Sequence, residues 1–121
     1  MSVTLRMELY IKALSVNRYY GTAKDRRIYV TQEGKEYVSK IREGVKLSLG
    51  ESMKVLEGDL ELYIMLKMGR KRKMDVDNCL KPLLDSLEGL LYKDDSQIQR
   101  LCVEKSFGHE EETIELLLKG G

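Results

Sequence analysis

From Val3 to Ile11 the chain alternates: Val3, Leu5, Met7, Leu9 and Ile11 point one way, and Thr4, Arg6, Glu8, Tyr10 and Lys12 the other. A period of two marks a half-buried strand, because successive side chains leave opposite faces of an extended backbone. Ser15 to Gly21 breaks the alternation with polar and aromatic residues and reads as a loop. Arg27 to Val30 reads as a short extended piece. Thr31 then offers an N-cap oxygen, and Glu33 and Glu36 suit the positive end of a helix. Tyr37, Val38, Ile41 and Val45 recur on one helical face, with the end expected near Leu49-Gly50.

A second alternation through Leu60, Leu62, Ile64, Leu66 and Met68 predicts another strand. Leu80, Leu83, Leu84, Leu87, Leu90 and Leu91 follow at three- and four-residue intervals, the spacing of an amphipathic helix. Pro82, the only proline, belongs in its first turn. There a missing N–H costs little, whereas deeper in the helix it would cost ~3 kcal/mol. Asp77 or Asn78 is the expected cap. Gln99 to Lys105 and Thr113 to Leu118 read as two more strands around a turn at Gly108 to Glu112. The order predicts an α+β fold: a small mixed β-sheet with two main helices layered on it. No repeat, low-complexity tract or linker interrupts residues 1–121, which read as a single domain.

Composition narrows the chemistry. With 34% charged and 42% hydrophobic residues in 121, the chain fits one soluble domain that folds without staples, although dimerisation would help it. Cys79 and Cys102 lie far apart with no paired spacing and no secretory leader, so they are expected to be reduced thiols, packed in the core of a cytoplasmic protein. Two cysteines and one histidine leave no structural zinc site, no His-based triad and no metalloprotease helix. The lone His109 is expected in an exposed turn. No apolar run approaches the ~20 residues of a membrane helix, so no membrane partner is expected. A Gly-rich phosphate loop is missing too, so no small-molecule cofactor is expected.

Net charge is only +1, but it is unevenly spread. Between Lys67 and Lys81 six cations (Lys67, Arg70, Lys71, Arg72, Lys73, Lys81) face two anions, whereas from Phe107 onward Glu110, Glu111, Glu112 and Glu115 face only Lys119. Five of the seven aspartates (Asp75, Asp77, Asp85, Asp94, Asp95) fall within positions 75–95. In an extended stretch Asp75 and Asp77 would project from one side, about 7 Å apart, and repel one another. A divalent cation reverses that sign, and hard oxygen ligands suit Mg²⁺. On this reading Asp75, Asp77 and one of Asp94/Asp95 meet because the second helix returns the chain to where it started. The ordinary alternative has Asp77 capping the helix and Asp94-Asp95 in a solvated turn. Lys81, one turn beyond Asp77, can pair with a carboxylate or reach a phosphate, and a Lys81–Asp85 surface ion pair is expected. Cations beside carboxylates suit nucleic acid: Arg70, Lys71, Arg72 and Lys73 would grip the phosphate backbone, with Asn17, Arg18 and Tyr19 adding amide, guanidinium and ring contacts.

The run Asp75-Val76-Asp77-Asn78-x-x-Lys81-Pro82-x-x-Asp85-x-Leu87, then Gly89, Asp94-Asp95-Ser96-Gln97-Ile98 and Val103-Glu104-Lys105, resembles the RusA family of Holliday junction resolvases, often carried by phages and prophages. Ser15-Val16-Asn17-Arg18-Tyr19-Tyr20 and Tyr29-x-x-Gln32-x-Gly34-x-x-Tyr37 are similar to that family as well. The resemblance implies a RusA-like two-layer sandwich, a homodimer, and a Mg²⁺-dependent endonuclease, with Mn²⁺ as a substitute, that nicks four-way junction DNA symmetrically. It implies Asp75, Asp77 and Asp95 as metal ligands and Lys81 as the essential lysine of the motif; for metal-assisted phosphodiester hydrolysis Lys81 is then expected to stabilise charge on the phosphate and Asn78 to orient one ligand from behind. Ala13-Leu14 stands where the family often has prolines, and Met74 where it often has a basic residue, a contact that Lys73 or Arg72 would take over. The rival reading is a non-catalytic protein that binds branched DNA.

Overall fold

The computed structural model describes residues 2–70 and 75–120. In chain order its elements are β1 (Val3–Leu9), a one-turn helix α1 (Val16–Tyr19), β2 (Tyr20–Thr22), β3 (Ile28–Val30), α2 (Gln32–Leu49), β4 (Leu60–Lys67), α3 (Leu80–Leu87), β5 (Ile98–Ser106) and β6 (Thr113–Gly120). Short 3-10 turns occupy Gly50–Ser52, Val76–Cys79 and Asp95–Gln97. Ser15 to Gly21 is therefore no loop: it forms α1 and runs into β2, which pairs with β3 as a small separate hairpin.

The main sheet has four strands in the order β1-β6-β4-β5. β6 runs antiparallel to both β1 and β4, and β5 runs parallel to β4, so the expected mixed sheet is present. β5 and β6 do not pair across their turn, because β4 lies between them. Their connection crosses the end of β4, where Met68 N donates to Ser106 O (2.8 Å) and His109 N donates to Met68 O (3.2 Å). His109 is half-buried rather than exposed, with Nε2 2.7 Å from Ser106 Oγ.

α2 follows its sequence signals. Thr31 Oγ1 accepts from Gly34 N at 2.9 Å, Tyr37, Ile41 and Val45 are buried against the sheet, and Gly50 ends the helix at φ 53°, a conformation glycine adopts at little cost. α3 is shorter than its leucine spacing predicts. It stops at Leu87, Gly89 turns the chain at φ 81°, and Leu90 and Leu91 reach the core from that turn, 6% and 0% exposed. A turn folded back on the core buries leucines as well as another helical turn does, so periodicity overran the end. Pro82 sits in the first turn as expected. Neither Asp77 nor Asn78 caps α3, because the 3-10 turn Val76–Cys79 runs straight into it and places Cys79 at the cap position.

Helices cover one face of the sheet, where Leu5, Met7, Leu62, Ile64, Leu116 and Leu118 are buried with Ile41, Leu83 and Leu87. Strand register defines the other face. Its middle row is Arg6, Leu117, Tyr63 and Cys102; one flanking row is Thr4, Lys119, Glu61 and Arg100; the opposite one is Glu8, Glu115, Met65 and Glu104. A groove of about 230 Å³ runs over Tyr63, Met65 and Leu117. Cys102 is exposed there, contrary to the expected core position, whereas Cys79 is buried; neither forms a disulfide. Among the described residues no helix is long and apolar enough to cross a membrane.

Candidate functional site

Because β4 and β5 run parallel, the chain between them has to travel back along the domain. Residues 68–97 form that crossover, and most residues singled out for chemistry lie on it. At its start Arg70 is exposed. Lys71, Arg72 and Lys73, with Met74, lie outside the described residues. Asp75 is extended (φ −70°, ψ 146°) and precedes the 3-10 turn, in which Asn78 N donates to Asp75 O at 3.1 Å. The expected same-side strand geometry of Asp75 and Asp77 does not hold, since a 3-10 turn has three residues per turn and i, i+2 side chains diverge. Both aspartates are exposed and neither caps the turn with its side chain, while Asn78 is half-buried.

One helical turn on, Lys81 Nζ donates to Asp85 Oδ1 at 2.7 Å, the ion pair expected from the i, i+4 spacing. Its ammonium pKa is raised, chiefly by that hydrogen bond and further by the charges of Asp85, Tyr20 and Asp95. The Tyr19 hydroxyl donates to Asp85 Oδ2 at 3.4 Å. Tyr19 was expected among the DNA contacts, but it is 4% exposed and presents no free ring face; burial first, then the Asp85 charge, pushes its pKa up to about 12. Asn17 is exposed. Arg18 is exposed too, but its guanidinium already forks onto Glu33, with Nε 3.0 Å from Oε1. It would have to exchange that partner to meet a phosphate.

The crossover's far end is tightly bonded. Arg42, from α2, donates to the carbonyls of Ser86 (3.2 Å) and Glu88 (3.1 Å), closing the C-terminus of α3. Gly89 N donates to Tyr92 O at 2.6 Å, folding the chain back. Asp94 and Gln97 then form a capping box around the last 3-10 turn. Gln97 Oε1 accepts from Lys93 N (2.9 Å) and Asp94 N (3.1 Å), and its Nε2 donates to Leu56 O and Gly58 O, both at 3.0 Å. Asp94 Oδ1 accepts from Ser96 N at 2.9 Å, and that backbone bond holds the Asp94 carboxyl below its ordinary pKa. Glu88 Oε1 accepts from Asp95 N at 3.3 Å.

The outcome is that Glu88, Asp94 and Asp95 each place one carboxylate oxygen within 4.8 Å of the others. Among the described residues this is the group of three or more such side chains that could hold a cation; Asp75 and Asp77 stand outside it. Glu88 was missed in the sequence. Its signal was Gly89, whose place after the last helical residue marks a chain reversal that aims Glu88 at the Asp94-Asp95 turn. Three hard oxygen donors fit Mg²⁺, which keeps several waters and takes few carboxylates.

A family model described as Endodeoxyribonuclease RusA matches residues 12–118, which include α1 and the whole crossover. Uncharacterized protein YqaN of Bacillus subtilis (strain 168) is 47% identical over 47 residues, 39% of this chain. That match spans 32% of the relative's own length.

Proposed function

The chain belongs to the RusA family of endodeoxyribonucleases, and from that membership we propose a structure-specific enzyme that resolves four-way DNA junctions by paired symmetric nicks, with Mg²⁺ as cofactor and Mn²⁺ as a substitute. The observation that carries this reading is the convergence of Glu88, Asp94 and Asp95 within 4.8 Å, with Lys81 in the field of Asp95. Three ionised carboxylates so placed repel one another, and a bound cation turns that repulsion into attraction. Glu88, Asp94 and Asp95 would hold such a cation as the fold groups them, and the family resemblance proposes Asp75, which precedes the 3-10 turn, and Asp77, within it, as further ligands beside Asp95. When bound, the cation supplies neutralising charge at the phosphate and acidifies water for attack.

The remaining roles belong to the chain itself. Lys81 stabilises charge that develops on the phosphate, and Asn78 orients a neighbouring ligand from its half-buried position. Arg70, Lys71, Arg72, Lys73, Asn17 and Arg18 hold the DNA backbone so that a polyanion can approach the carboxylates. Symmetric nicking calls for two sites related by a two-fold axis, hence a homodimer. On the open sheet face Lys119 and Arg100 lie in one outer row, with Glu61 beside Arg100, and Glu8, Glu115 and Glu104 lie in the opposite one; a dyad running along the rows would set the first row on the second. We place the protein in the cytoplasm, where thiols such as Cys79 and Cys102 stay reduced.

The test is cleavage of a synthetic four-way junction with and without Mg²⁺, beside Asp77→Asn. Two symmetric nicks that need the metal and vanish in the variant are expected. Activity that survives the substitution removes the mechanism, and junction binding that never proceeds to nicking favours the non-catalytic reading.

A further inference from the structure

Lys81 is a long side chain on an exposed helical turn, 54% accessible, and holding such a side chain in one rotamer costs up to ~2 kcal/mol of entropy. A lone i, i+4 ion pair at the surface returns less than about 1 kcal/mol. Asp85 is not a lone surface partner, however. Its side chain is 21% accessible and both of its oxygens are engaged: Oδ1 with Lys81 Nζ at 2.7 Å and Oδ2 with the Tyr19 hydroxyl at 3.4 Å.

Tyr19 is itself held from behind. Its carbonyl accepts from Thr31 N at 2.9 Å and from Thr31 Oγ1 at 3.2 Å, which ties α1 to the first turn of α2. The approach is so close that a Cβ on Gly34 would lie 2.8 Å from Tyr19 O and 2.9 Å from its ring. The Tyr20 ring meets the Tyr19 ring edge-on at 4.8 Å. A chain of fixed contacts therefore runs from Gly34 and Thr31 through the Tyr19 ring to Asp85 and ends at the Lys81 ammonium.

We propose that Asp85 and Tyr19 are positioning residues for Lys81, a two-point brace that holds its ammonium toward the acidic turn; this rests on the reading of the crossover as a nuclease centre. The brace explains why a tyrosine sits buried in a segment otherwise suited to DNA contact. It also makes the ordering of α1 part of the active geometry. The groups facing Lys81 are Asp85 on its own helix, Tyr19 on α1, Tyr20 on β2 and Asp95 on the last 3-10 turn.

Two variants test it, Asp85→Asn and Tyr19→Phe, the latter keeping the ring and losing only the hydroxyl. Junction affinity measured without Mg²⁺ should hold while kcat falls about tenfold in Asp85→Asn and by a smaller factor in Tyr19→Phe, the scale of a lost charge-assisted contact. The alkaline limb of the rate profile should move to lower pH in Asp85→Asn. Titration of Lys81 followed by side-chain NMR in metal-free protein should move the same way. Wild-type kcat together with an unmoved Lys81 titration overturns the proposal. Should the wild-type chain nick no junction, the nuclease reading fails separately and the titration alone decides: a downward shift upholds the brace, and none overturns it.

Discussion

The two ends of the crossover are built on opposite principles. Between Glu88 and Gln97 several polar side chains are spent on backbone: Gln97 makes four hydrogen bonds, Asp94 caps its own turn and Glu88 receives the Asp95 N–H, while Arg42 from α2 closes the helix behind them. At Asp75 to Asn78 the turn is held by its backbone and by the buried Cys79, and neither aspartate caps it. One arm of carboxylates is therefore preorganised by the fold before any ion arrives, while the other offers its charges outward. Bonding that fixes a carboxylate's neighbours also fixes the repulsion among carboxylates, and only a cation relieves that.

The sharpest way to break this contrast is to remove one residue from each arm. Asp75→Asn should lower junction cleavage more than about a hundredfold while leaving the melting temperature where it was, because an exposed side chain that caps nothing supports little structure. Gln97→Leu should do the reverse first, lowering stability by about 2–3 kcal/mol in urea unfolding through bonds worth about 1 kcal/mol each, with loss of activity following from the loosened turn. Equal stability losses in both would erase the distinction between the arms. Glu88→Gln should weaken Mg²⁺ binding about tenfold in a calorimetric titration with little change in stability, since an amide oxygen still accepts the Asp95 N–H. The smallest effect concerns Asp94. Its folded pKa lies below the unfolded value, so its contribution is complete above about pH 4 and fades as pH falls through the folded value. Asp94→Asn should flatten that acid limb by lowering the urea midpoint slightly near pH 7 while leaving it almost unchanged at a pH below the folded value.

What the sequence disclosed depended on the range of the interaction. Local signals carried: period-two alternation located β1 and β4, Thr31 capped α2, and the Lys81–Asp85 spacing yielded its ion pair. Strand order did not, because the insertion of β4 between β5 and β6 depends on cross-strand pairing that no local pattern encodes. The acidic residues were recognisable as a group along the chain, but their grouping in space was only half visible. Asp75 is extended but Asp77 already lies in a 3-10 turn where a continuous extended stretch was expected, and Glu88 joins Asp94 and Asp95 through a reversal set by one glycine. Tyr19 shows a further limit, since an aromatic in a polar segment reads the same whether it faces solvent or braces a neighbour.

The parallel pairing of β4 with β5 means that the acidic turns cannot be excised while the sheet is kept. Splicing Lys67 to Ile98 through a tight two-residue bend would compel β5 to run backwards, exchanging its ladder for an antiparallel one and discarding the leucines that α3 delivers to the interior. An inert version of this scaffold has to be reached by substitution, one carboxylate at a time, and never by trimming.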